Sequence, residues 1–215
     1  MPAYNKPIIC NVETKPNESI RLLLDELVPY AVQVNCEDKT PLPFVLNGEI
    51  QCYLLVEGFA RINRKKDNLT VSTEQAPFIF GFSMSSNDIS ELSIHSYVDT
   101  VLYQLPLDIV NEIIEKKTLW KPLAYLLTYL SSRIFSHCTR TSQFGSYQTI
   151  RVLLHELYRE LDHSPHQETV MHYIKSRSLL SRSGIMQIIS ELKKGDYIEI
   201  ENGKLKAIKC LPERF

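Results

Sequence analysis

No run of about 18 apolar residues occurs in the 215-residue chain, which excludes a membrane-spanning helix. The opening "MPAYNKPIICNVETKPNES" lacks the apolar centre of a signal peptide, so a cytoplasmic protein is expected. The five cysteines are odd in number and widely spaced, and no CxxC or Cys/His pair has zinc spacing. Reduced thiols fit that pattern. There is no P-loop, no Rossmann turn and no nucleophile–base motif. His137, His155, His163, His166 and His172 have no flanking acids in catalytic spacing and read as surface residues. We therefore expect no enzyme and name no catalytic and no metal-binding residue. An apolar content of 44% and a charged content of 23% suit a soluble globular protein of one or two domains.

What charge there is falls unevenly. Residues 1–115 hold 8 basic and 16 acidic side chains, whereas residues 116–167 hold 7 and 3, and residues 168–215 hold 9 and 6. An acidic front joined to a basic back suggests two jobs, the second near a polyanion.

The hydrophobic pattern also changes along the chain. "NESIRLLLDELVPYA" reads as a short helix capped by Asn17 or Ser19, with Leu22, Leu23, Leu27 and Val28 on one face. From Val32 to Leu105 short β-type runs follow one another, among them "IQCYLLVEGFARINR", "LTVST", "PFIFGF", "LSIHS" and "TVLYQL". Such a succession predicts a sandwich, barrel or roll. Helix returns at "LPLDIVNEIIEKK" and in the longer "LWKPLAYLLTYLSSRIFSHCTRT". In the latter, Leu119, Leu123, Leu126, Leu130 and Ile134 recur at spacings of three and four. Two readings fit: a helix packed on its own domain, or a two-stranded dimer seam.

The C-terminus carries the most specific signal. "LLSRSGIMQIISELKKGDYIEIENGKLKAI" predicts a helix from Ser181 to about Lys193, then strands Tyr197–Glu201 and Lys204–Ile208 turned through Asn202-Gly203. A shorter helix, Glu168 to about Arg177, precedes it. Two short helices with a hairpin behind make a winged helix-turn-helix. Ile185, Ile188, Ile189 and Leu192 form the inward stripe of the second helix, leaving Arg182, Ser183, Met186, Gln187 and Ser190 outside or near its rim. Ser at a helix N-terminus meets phosphate, Arg pairs with guanine and Gln with adenine. Lys193, Lys204 and Lys206 add backbone contacts. Winged helices also mediate protein contacts, so a scaffold or interaction module is the alternative.

In order, the short helix, strand-rich segment, long helix and winged unit resemble the CRP/FNR superfamily of bacterial transcription regulators over about residues 18–210. "YLLVEGFARI" is similar to that family's strand–Gly–strand signature, and "LSRSGIMQIISELKKGDYIEIENGKL" to its recognition helix and wing. In overall style the chain is most similar to the branch named for inhibition of hydrogen peroxide resistance. The resemblance implies an α+β chain in three parts. Residues 1–117 would form a cyclic-nucleotide-binding-like β-roll, residues 118–142 a linking and dimerisation helix, and residues 143–215 the winged DNA-binding domain. It places Ser181 on phosphate and Arg182 on guanine, with Ser183 and Gln187 at two base-reading positions where many members carry Glu and Arg. The implied partners are double-stranded DNA, a second copy of the chain and RNA polymerase; the implied role is stress-related gene control.

Against that family the front half departs. Nucleotide-binding members hold the ribose with a Gly-Glu turn and the phosphate with a nearby Arg. In "FIFGFSMSSNDISELSIHS" Gly81 remains, but Phe82 replaces Glu, and no Lys or Arg occurs from Asp67 to Glu115. A buried phosphate needs a cation or oriented N–H donors, so neither cyclic AMP nor cyclic GMP is expected. The four-cysteine arrangement of iron–sulfur members is also absent. Phe78, Phe80, Phe82 and Met84 either fill the core or line an apolar ligand pocket. Haem, used elsewhere in the superfamily, is a candidate occupant, with Cys52, His95 or Cys36 as its ligand.

Overall fold

The computed structural model describes residues 14–36, 40–82, 89–97, 99–141, 145–160 and 168–212. They form two compact units, the first running to His137 in the main and the second from Cys138 onward. None of the described helices is long and apolar enough to cross a membrane.

The first unit starts with α1 (Asn17–Leu27), which buries Ile20, Leu23, Leu24 and Leu27. That spacing, i, i+3, i+4, i+7, is one helix face. It differs from the expected face: Leu22 is exposed, and Ile20 takes the inward place. Pro16 precedes the helix with no side-chain cap, so neither Asn17 nor Ser19 caps it.

Two antiparallel sheets follow. One holds β1 (Val32–Gln33), β9 (Val101–Pro106), β4 (Glu49–Glu57) and β3 (Val45–Leu46) in that order, with β7 (Phe78–Phe80) also on β4. The other runs β2 (Leu42–Pro43), β8 (Leu92–Ser96), β5 (Phe59–Arg64), β6 (Thr70–Gln75). The centre of β4 does not alternate: Gln51 to Leu55 are all buried, as befits a strand covered on both faces. Tyr53 lies there edge-on to Phe44 at 5.7 Å and donates its hydroxyl to the Pro43 carbonyl at 2.6 Å. A buried Tyr hydroxyl left unpaired would be costly, so this bond ties β4 to β2 of the other sheet. Helix α2 (Leu107–Lys117) packs on β4 and β9. Helix α3 (Trp120–Thr141) continues the chain after a left-handed turn at Thr118.

The second unit contains α4 (Ser146–Glu160), α5 (Val170–Arg177), α6 (Arg182–Lys194) and the hairpin β10 (Ile198–Glu201)–β11 (Lys204–Ile208). Ile150, Leu153, Leu154 and Leu157 of α4 meet Tyr173 and Ile174 of α5 and Ile185, Ile189 and Leu192 of α6 in one core. Ile198, Leu205 and Leu211 close it from the hairpin side. The Tyr147 hydroxyl donates to the Pro212 carbonyl at 2.6 Å and ties α4 to the chain end.

Candidate nucleic-acid interface

The start of α6 is built by its own residues. Ser181 has extended backbone and its Oγ accepts from the Gly184 N–H at 3.1 Å, an N-cap. A Cβ at position 184 would stand 3.2 Å from that Oγ, so glycine leaves the cap its room. Burial of Ile185, Ile189 and Leu192 turns the opposite face outward. Arg182, Ser183, Met186, Gln187 and Ser190 are exposed on it. The Ser183 Oγ lies 3.2 Å from the Ser181 Oγ, which gathers two hydroxyls at a helix N-terminus, where N–H groups attract anions. Lys193 and Lys194 occupy the last turn.

Two further contacts orient this helix. Lys175 of α5 donates to the Leu180 carbonyl at 3.0 Å, and the buried Ser178 hydroxyl donates to the Ile174 carbonyl at 2.8 Å. Together they hold the turn between α5 and α6. The Arg177 guanidinium lies 3.6 Å from the Tyr173 ring centroid and 3.5 Å from a Glu168 carboxylate oxygen. Arg177 therefore braces the unit.

The wing turn has φ of 49° at Asn202 and 79° at Gly203, the pair that a two-residue hairpin needs. Its tip is anchored. The Val170 N–H donates to the Gly203 carbonyl at 2.8 Å, so the start of α5 holds the wing. Lys204 is half-buried, and exposed Lys206 lies 3.4 Å from Glu201. All seven residues expected at DNA thus fall in this one unit, five on α6 or its cap and two on the wing. Thr169 was not foreseen: it caps α5, and its methyl carbon lies 3.3 Å from where a Gly203 Cβ would be.

A family profile described as winged helix-turn-helix DNA binding matches residues 146–213. The protein named inhibitor of hydrogen peroxide resistance from Escherichia coli K12 is 30% identical over 165 residues, covering 76% of this chain and 79% of that protein. The chain belongs to the family of this inhibitor of hydrogen peroxide resistance. Solved structures agree on the fold. The c-di-GMP-responsive global regulator CLP of Xanthomonas campestris aligns with a TM-score of 0.70 at 13% identity, over 88% of this chain and all of that one. A chain from Eubacterium rectale described as a crp/fnr-family transcriptional regulator gives 0.61 at 14% identity, over 87% and 90%.

In this family member the remaining expected residues fare unequally. Phe78 and Phe80 are fully buried, with ring centroids 4.8 Å apart, and Phe82 packs half-buried on the same core. They are core rather than pocket lining; Met84 lies outside the described residues. Gly81 is a backbone requirement: φ is 108°, and a Cβ would sit 2.7 Å from the Gln51 carbonyl oxygen. The three haem candidates lie on separate segments of the first unit. Cys52 is enclosed on β4, and desolvation pushes its thiol up to about 12. His95 sits on the other sheet, 3.2 Å from the Ser93 hydroxyl, its pKa lowered by burial and then by Arg61. Cys36 makes a sulfur contact of 3.7 Å to the Val34 carbonyl. Among the described residues no three His, Cys, Asp or Glu side chains gather as a metal site.

The leucine stripe of α3 divides. Leu119, Leu123 and Leu126 are buried in the first unit's own core, so the packing reading holds for them and they are unavailable as a seam. Leu130 is half-buried against that core, and Ile134 is exposed. The count of cations within residues 67–115 also missed two from outside. Arg133 of α3 pairs with the buried Glu74 on β6, which Ser72 also contacts. Lys15 donates to the Gln75 carbonyl and lies 5.2 Å from the Phe78 ring centroid.

Proposed function

We propose that the chain is a transcription regulator that reads double-stranded DNA as a homodimer and uses neither a cyclic nucleotide nor haem. The capped α6, with Arg182, Ser183 and Gln187 exposed beside an anchored wing, carries this reading. Arg182 pairs with guanine, Gln187 with adenine, Ser181 and Ser183 with phosphate, and Lys204 and Lys206 with the flanking backbone.

The dimer forms through the face of α3 that the core leaves free. Trp120, Ala124, Ser131 and Ile134 are exposed on it and, with Leu127 at its edge against the core, repeat at four and three residues, a heptad seam rotated from the leucines. Ile134 is 57% exposed and its neighbour Phe135 73%. Small side chains at Ala124 and Ser131 let two helices approach.

Loss of nucleotide binding rests on engagement of the available cations. Glu74 neutralises Arg133, and the Gln75 carbonyl holds Lys15. A phosphate on β6 would have to displace one of these and face Glu74. The relatives' name extends the reading to gene control that lowers resistance to hydrogen peroxide, with RNA polymerase as the partner at the promoter.

Selection from a randomised duplex library tests this. The protein should enrich a pseudo-palindrome with half-sites about 10 bp apart, or a multiple. Affinity should fall with salt at a slope of about −0.9 per phosphate neutralised. Failure to enrich any sequence would leave a protein-interaction module on a regulator fold.

A further inference from the structure

Met186 is the one large apolar side chain on the outward face of α6, and it is 49% exposed. It follows Arg182 by four residues, so the two are neighbours on successive turns of that face. The core has no need of it: Ile185, Ile189 and Leu192 already fill the inward stripe. The residues around it on that face, Arg182, Ser183, Gln187 and Ser190, are all polar. In the major groove the edges of the base pairs present donors and acceptors, and one apolar group, the thymine C5-methyl.

From this placement we propose that Met186 is a specificity-determining residue that selects thymine by packing on its C5-methyl, next to the base pair that Arg182 reads. The inference rests on the DNA-reading function above and adds a residue to it. A flexible thioether side chain suits the task, because it adjusts to the methyl without needing a donor or acceptor partner. Burying one methyl group against it corresponds to about a fourfold gain in affinity.

The test uses the full chain and the duplex that it enriches from a random library. Each thymine is replaced in turn by uracil, which lacks only the methyl, and binding is read by fluorescence anisotropy. The parent should lose about fourfold at one thymine of the half-site. Met186→Ala should show no loss at that position, and Met186→Leu should restore it. Met186 is exposed, so neither variant threatens the fold. Indifference of the parent to every uracil, with specific binding intact, overturns the proposal. So does a Met186→Ala protein that keeps the parent's uracil sensitivity; the exposed methionine then faces a partner other than DNA. If no duplex is enriched at all, the DNA reading itself fails and the proposal falls with it.

Discussion

Leu126 and Ile134 lie eight residues apart on α3, and substituting each separates core packing from dimerisation. Leu126 is 0% exposed within the first unit's core. Truncation to Ala removes three carbons, roughly 2.4 kcal/mol of transfer free energy at about 0.8 kcal/mol each. The cavity left behind adds to this, so Leu126→Ala should cost about 2–5 kcal/mol. The loss is internal to one chain. The urea midpoint should therefore fall by the same amount at low and high protein concentration, with an unchanged slope. A seam residue behaves otherwise, since its contribution scales with protomer concentration. Ile134→Glu should yield monomers by sedimentation and leave the urea midpoint of dilute protein in place. A Leu126→Ala loss that vanishes on dilution would refute this assignment. So would an intact dimer when both Ile134 and Phe135 are changed to Glu.

Other outcomes follow from the same contacts. Ser181→Ala removes the cap on Gly184 and should cost about 1 kcal/mol, seen as faster hydrogen exchange in the first turn of α6. Lys15 is lowered from 10.5 to about 8, mainly by desolvation, with Glu74 opposing and Arg133 assisting. Its charged form is therefore the unfavourable one in the fold. The penalty is full below about pH 8 and is relieved as pH rises toward the unfolded value of 10.5. Relative to the parent, Lys15→Met should gain least above pH 10 and most below pH 8, measured by urea midpoints across that range. Titration calorimetry with cyclic AMP or cyclic GMP should show no micromolar binding; a saturable heat from either contradicts the proposed loss of nucleotide binding.

The second unit was the more legible in sequence because its determinants are local. Ser181 caps its helix through an N–H three residues away, Asn202-Gly203 turns its own hairpin, and the Ile185–Leu192 stripe shows a single period. The first unit hides its key contacts in distance. Glu74 and Arg133 are 59 residues apart, and Lys15 and Gln75 are 60 apart. A count of cations within residues 67–115 could find neither. The α3 leucines were ambiguous for another reason: spacing of three and four serves an intrachain face and a dimer seam alike. Only the burial of Leu119, Leu123 and Leu126 separates the two. Gly81 shows a similar limit. Its position matched a ligand-binding turn, whereas its positive φ and the nearby Gln51 carbonyl explain it by backbone approach.

The most direct measurement of the central claim is the affinity of the parent and Arg182→Ala for an enriched duplex and for a scrambled one at the same salt concentration. Arg182 opens α6 on its outward face, and a bidentate contact to guanine is worth about 1–3 kcal/mol of discrimination. The parent should prefer the enriched duplex and Arg182→Ala should lose this margin, while both proteins bind the scrambled duplex with similar, salt-sensitive affinity. A full preference retained by Arg182→Ala would contradict the assignment of α6 as the reading helix.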